Sequence, residues 1–212
     1  MNKGLNFLIS LLVWMMSVSS IWAQSYTPRF CGFSIAEGYE YEEEKDREFI
    51  AEKVSVGHSS GIADVVDEIL RKIKINTEIE VFLVGNEGNC YATVLEESRR
   101  VIVADHHFLQ KVNDTAGTQW AAISILAHEI GHHINGFSQK VSRRQSEMEA
   151  DYWSGYMLQK LGANKKAALQ CIMVFGEEKD GFYYPNKYTR AGAITEGWED
   201  ANRGKTPKFN PN

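Results

Sequence analysis

Apolar and polar residues change rhythm several times along this chain, and each change marks an element. From Gly61 onward, Ile62, Val65, Val66, Ile69, Leu70 and Ile73 recur at three- and four-residue spacing. That period predicts an amphipathic helix over 61–74, packed on a sheet. Three β-rich runs follow, Ile79–Val84, Cys90–Leu95 and Arg100–Asp105, with the Gly- and Asn-containing 85–89 as the connection between the first two. His106–Val112 reads as a short helix. Between Thr115 and Ile134 the residues Trp120, Ala121, Ala122, Ile123, Ile125, Leu126, Ala127 and Ile130 are apolar on nearly every side. A helix apolar all round is a buried one, and Gly136 is placed to stop it. Helices over 143–161 and 164–175, punctuated by Gly162, come next. A turn-rich 181–186 and a final, more exposed helix over 188–203 complete the pattern, and 204–212 read as a flexible tail. Residues 24–60 carry the weakest periodicity. The whole predicts an α+β fold, mostly helical, with a small three-stranded sheet packed against the buried helix.

The N-terminus reads differently. Lys3 gives a short positive start, Leu5–Met16 is almost wholly apolar, and a Ser-rich stretch leads to Ile21-Trp22-Ala23 with a cut expected before Gln24. The apolar core is short for a bilayer span of about 20 residues. The expectation is therefore a cleaved export signal over 1–23 and a periplasmic or secreted protein, membrane-anchored only if the signal stays. No later segment is apolar enough to span a membrane. An N-terminal extension, 24–60, then precedes a single domain over 61–203.

Without Lys3 the chain keeps 22 basic and 28 acidic residues, a net charge of −6. No basic stripe is visible, which argues against nucleic acid as a partner. Glu40 and Glu42–Glu44 read as a solvated acidic surface. Cys31, Cys90 and Cys171 are odd in number and widely spaced, with no CxxC motif. One disulfide is open to them in an oxidising compartment, with the pairing unassigned.

The chemistry concentrates in the buried helix, at His128-Glu129-Ile130-Gly131-His132. On a helix, His128 and His132 leave the same face and can grip one zinc ion, while Glu129 can take a proton from water that the metal activates. Two histidines and a glutamate in an apolar helix need partners, because unpaired buried polar groups are costly. His133 points about 100° away from His132 and is not expected to share the ion. Asn135 and Ser138 stand where the metzincin pattern needs Gly and His, which excludes that class. Downstream, Glu147 and Asp151 share a helix face with the small Ala150 and Ser154 and with Leu158. Glu149 lies instead with Tyr152, Trp153 and Tyr156. A small-sided face lets this helix approach the motif helix, so Glu147 is the expected third ligand. Asp151 is then expected to accept a hydrogen bond from His128.

HEIGH followed by Glu147-Met148-Glu149-Ala150-Asp151 resembles the gluzincin metallopeptidases. The nearest branch holds the CAAX prenyl endopeptidases and bacterial envelope quality-control proteases, and the resemblance spans about 89–195. It implies zinc on His128, His132 and Glu147, with Glu129 as base and Asp151 orienting a histidine. It also implies that Asn89-Cys90-Tyr91-Ala92 is a substrate-binding strand. Where the branch shows a His-Pro with an Arg a few residues on, this chain has Tyr184-Pro185 and then Arg190, so a histidine-based role there is lost. The transition-state stabiliser therefore stays open among Tyr184, Arg190 and His133. The transmembrane helices of the prenyl endopeptidases have no counterpart.

The expected function is zinc-dependent endopeptidase action, with one Zn2+, on exported or misfolded proteins. An extended substrate is expected along the edge of Cys90–Leu95 or Arg100–Asp105. The alternatives are a non-catalytic zinc-binding partner or chaperone module, and a narrower processing enzyme. Residues 24–60 can also be read as an inhibitory cover over the cleft, with Cys31 as a conceivable fourth ligand.

Overall fold

In a computed structural model of the chain, the described residues are 29–30, 60–85, 88–95, 98–135 and 141–209. The export signal, Cys31, Glu40 to Glu44, Gly136, Ser138 and almost all of the extension lie outside them. The elements run β1 (Arg29–Phe30), α1 (Ser60–Ile73), β2 (Glu80–Val84), β3 (Cys90–Val94), β4 (Arg100–Asp105) and α2 (His106–Ala116). Then come α3 (Trp120–Ile134), α4 (Arg143–Lys160), α5 (Lys165–Phe175) and α6 (Lys187–Asn202). The fold is α+β and mostly helical, as the periodicity predicts.

The three expected strands form one mixed sheet, and two-residue β1 adds a fourth at its margin, in the order β1-β3-β4-β2. β3 runs antiparallel to β4, while β2 runs parallel to it with Val81 opposite Ile102. Strand alternation sorts the side chains. Val81, Cys90, Ile102 and Ala104 face the helices, whereas Phe82, Val84, Tyr91, Val101 and Val103 form a separate buried cluster on the other face. β4 lies between β3 and β2, so the expectation of a free edge at Arg100–Asp105 is corrected. Its backbone groups are already spent on two neighbours.

Asp105 joins sheet to helix. Its Oδ1 accepts from the N–H groups of His107 at 2.8 Å and Phe108 at 3.2 Å, and its Oδ2 from Gly88 N–H at 2.8 Å. This cap starts α2 directly at the end of β4. α2 runs on to Ala116, past the expected Val112, and stops at Gly117, whose φ of 67° is left-handed. Thr115 therefore belongs to α2, and the motif helix begins only at Trp120. From Ala121 to Ile134 every residue except Ile123 is buried.

Helix contacts around α4 use residues with little or no side chain. A Cβ on Gly131 would lie 2.9 Å from Ala150 Cα and 3.1 Å from Trp153 Cβ. On the same face, Ser154 Oγ donates to the Ser124 carbonyl at 3.0 Å. On its opposite side α4 meets α6 more tightly still. A Cβ on Gly155 would lie 1.9 Å from the Ile194 carbonyl oxygen, and one on Gly197 1.9 Å from that of Tyr152. α6, expected to be the more exposed helix, thus buries Arg190, Ala193, Ile194, Gly197 and Ala201. The expected loose tail is also held as far as it is described. Lys208 N–H donates to Tyr152 Oη at 2.9 Å, Tyr156 Oη donates to the Lys205 carbonyl at 3.0 Å, and Phe209 packs edge-on against Tyr152.

Two glycines of α6 should respond to alanine with opposite signs. Gly197→Ala forces a backbone clash and should cost about 3 kcal/mol or more, roughly 6–12 °C in Tm. Gly192 has open space where its Cβ would be. Gly192→Ala should therefore raise Tm slightly through the helix-propensity gain of roughly 0.5–1 kcal/mol. Thermal melts of the two variants check the pair.

Candidate metal centre

His128 and His132 project from one face of α3, their rings 4.7 Å apart and nearly perpendicular. Glu147, one turn into α4, comes between them. One carboxylate oxygen lies 3.2 Å from His128 Nε2 and the other 3.6 Å from His132 Nε2. One donor atom from each of the three residues lies within 4.8 Å of the others, and all three side chains are buried. Ligands at 2.0–2.1 Å from a tetrahedral zinc stand about 3.3–3.4 Å from each other. Two imidazole nitrogens and a carboxylate at these spacings therefore fit a metal ion, and the donor types fit zinc. Gly131 makes this possible, because any side chain between the two histidines would push α4 and its Glu147 away.

Behind the three ligands stands a chain of charge. His128 Nδ1 lies 2.9 Å from Asp151 Oδ1. With Asp151 ionised, the ring nitrogen donates, which turns Nε2 toward Glu147. Arg190 grips the same carboxylate with two bonds, Nε to Oδ2 at 2.7 Å and Nη2 to Oδ1 at 2.8 Å. Burial pushes the Asp151 and Glu147 carboxyls up. For Asp151 the Arg190 guanidinium and the His128 ring outweigh burial, and for Glu147 His132, His128 and Arg190 do, so both end below the ordinary carboxylate range. Burial pulls His128 down, but the bonds and charges of Asp151 and Glu147 raise it to about 9. Ser146 Oγ sits 3.5 Å from His132 Nδ1, at the far limit of a hydrogen bond.

Glu129, fully buried, reaches from α3 to the sheet, where its Oε2 accepts the backbone N–H of Ala92 in β3 at 2.8 Å. The expected base is thereby tied to the strand beside the metal group. Of the strand residues expected to bind substrate, Cys90 is buried toward the helices and Tyr91 toward the opposite cluster. Asn89 Oδ1 accepts from Cys90 N–H at 2.8 Å. Contact with the base comes instead through the backbone of Ala92.

The three candidates for a transition-state stabiliser separate. His133 Nε2 lies 3.0 Å from the Val101 carbonyl, and burial lowers its pKa to about 4. Arg190 turns its guanidinium to Asp151. Tyr184 is bound by Arg143, whose guanidinium donates to its hydroxyl and also lies 5.0 Å from the ring centres of Tyr183 and Tyr184. Arg143 stands one helical turn before Glu147. Glu149 is bonded by Gln145 at 2.9 Å and is not among the grouped ligands, in line with the face argument. Cys90 and Cys171 are buried free thiols, and burial pushes Cys171 up to about 12.

Sequence reasoning missed Gly131 as the spacer, Ala92 as the partner of Glu129, and Arg190 as the partner of Asp151. Gly131 carried a signal, a residue without a side chain between two ligands on a packed face. Arg190 lies 39 residues from Asp151 and had none. No family model, curated protein or solved structure matches the chain.

Asp151→Asn should keep the fold and weaken metal binding about 10–100-fold, read by chelator competition. Arg190→Met strands a buried carboxylate and should cost about 3–5 kcal/mol, read by denaturant unfolding. A parental unfolding midpoint in Arg190→Met would remove Arg190 from the support of the site.

Proposed function

We propose that this protein is a zinc-dependent metalloendopeptidase that hydrolyses peptide bonds of exported or misfolded proteins. The observation that carries the reading is the buried His128–His132–Glu147 group with Glu129 one residue along α3, tied to the backbone of β3. The gluzincin resemblance of HEIGH and Glu147-Met148-Glu149-Ala150-Asp151 supports it, as does the bond from His128 to Asp151. The export signal read over 1–23 supports a periplasmic or secreted setting.

His128, His132 and Glu147 would hold the ion. Zinc bound there supplies Lewis acidity, polarising a scissile carbonyl and making water acidic enough to give up a proton near neutral pH. Glu129 takes that proton and returns it to the leaving amine. Asp151, held ionised by Arg190, keeps the His128 proton on Nδ1 and its Nε2 lone pair free to ligate. The outer edge of β3, beside Glu129, carries only the two-residue β1, so an extended substrate that displaces β1 would lie along it and be read through its backbone. Among the candidate stabilisers, Tyr184 lies against Arg143, one helical turn before the ligand Glu147.

One observation favours a second reading, a non-catalytic zinc-binding partner or chaperone module: the bond from Ala92 gives Glu129 a structural use. Glu129→Gln separates the two. Glutamine keeps an oxygen that can accept the Ala92 N–H but cannot take a proton. Zinc content and Tm should stay parental while hydrolysis of unfolded casein falls by about 10²–10⁴. Unchanged hydrolysis removes Glu129 as the base, and absence of hydrolysis in the zinc-loaded parent favours the second reading. His128→Ala and Glu147→Ala should lose stoichiometric zinc, and Glu149→Ala should keep it.

A further inference from the structure

The edge of β3 next to Glu129 already has an occupant. Asp105 N–H donates to the Asn89 carbonyl at 3.1 Å and Leu95 N–H to the Arg99 carbonyl at 2.9 Å. The odd-numbered residues of this strand therefore turn their backbone groups toward β4. By alternation Cys90, Ala92 and Val94 turn theirs the other way, toward the edge. Ala92 spends its N–H there on Glu129 at 2.8 Å. Along this same edge runs β1, antiparallel, with Arg29 opposite Ala92 and Phe30 opposite Tyr91.

We infer that the Arg29–Phe30 strand is a built-in competitor for the peptide-binding edge of β3, so that the chain's own N-terminal segment restrains its site until it is displaced. The inference rests on the reading of β3 as the substrate edge. Two residues of strand make a weak contact, one that an extended polypeptide pairing with more of β3 can replace. Because β1 is tethered to the sheet it covers, it competes at high effective concentration. Opposite residues of an antiparallel pair aim their backbone groups together. Arg29, opposite Ala92, therefore directs its N–H and carbonyl at β3, and those of Phe30 point away.

That alternation gives an unequal pair of substitutions. Arg29→Pro removes a backbone donor from the contact, whereas a proline at Phe30 replaces an N–H that faces outward, as edge strands tolerate. The probe is a fluorescein-labelled, unfolded casein fragment, titrated by anisotropy against the zinc-loaded full chain in a Glu129→Gln background that does not cut it. Arg29→Pro should bind roughly tenfold tighter, about the worth of one or two strand hydrogen bonds. Phe30→Pro should stay within about twofold of the parent. Deuterium uptake over Cys90–Val94 should rise in Arg29→Pro alone. If Arg29→Pro misfolds, the double change Arg29→Gly with Phe30→Gly, which only weakens strand formation, should move affinity in the same direction.

Faster exchange at β3 without tighter binding overturns the inference, and so does unchanged exchange. Failure of every variant to bind the fragment overturns both the inference and the substrate edge. Tighter binding by Arg29→Pro with no cleavage when Glu129 is intact leaves the inference standing and overturns the peptidase reading. The two failures are thereby told apart.

Discussion

The backbone contact between α3 and α4 at Gly131 is the constraint on which the metal group depends. Glutamate is too short to span an ordinary helix–helix separation of 8–10 Å and still stand between two histidines of the facing helix. Gly131 and Ala150 remove the side chains that would hold the helices apart, and the bond from Ser154 to the Ser124 carbonyl keeps the face closed. α6 supports α4 from the other side in the same manner, at Gly155 and Gly197. Three helices are thus stacked through their smallest residues. The polar group lies at the α3–α4 layer of that stack.

Such a stack shuts the site off from water, and the charges inside it must answer for that. Glu129, Glu147 and Asp151 are almost wholly buried, against one buried Lys or Arg among the described residues, Arg190. With the histidines neutral, as ligation requires, that leaves two formal negative charges, which a divalent cation would cancel. Desolvating ions is expensive, and a buried ion pair seldom raises stability over an apolar core of the same volume. What the Arg190–Asp151–His128 chain supplies is therefore orientation more than stability. Arg190 makes Asp151 a reliable acceptor, Asp151 fixes the His128 ring, and the ring presents Nε2 beside Glu147.

Much of this was legible in the chain for local reasons. Among the described residues, periodicity placed every helix and the three main strands, because each buries one face or all of its faces. The choice of Glu147 over Glu149, and of Asp151 as partner to His128, followed from which face of α4 is small. What stayed hidden depends on long-range pairing. Nothing near Arg100–Asp105 says that β4 lies inside the sheet, since its residues suit an edge and a centre equally. Nothing near Arg190 says that its guanidinium points inward at an aspartate from another helix. The polar stretch 113–119 also left open where one helix ends, which the left-handed turn at Gly117 decides.

β3 joins these threads. A strand displays side chains on its faces and backbone groups at its edges, and here both faces are closed. Cys90 is buried toward the helices and Tyr91 toward the opposite cluster. Little of β3 is left for another peptide except main chain, and its nearest backbone donor to the metal group, Ala92 N–H, already holds Glu129. The proposed base is therefore positioned by the same edge that the proposed substrate would join. A polypeptide adding to that edge would be aligned with the base through contacts any sequence can make. This suits action on unfolded chains better than recognition of one sequence, and it gives a reason for the edge to be covered by a strand of the chain's own.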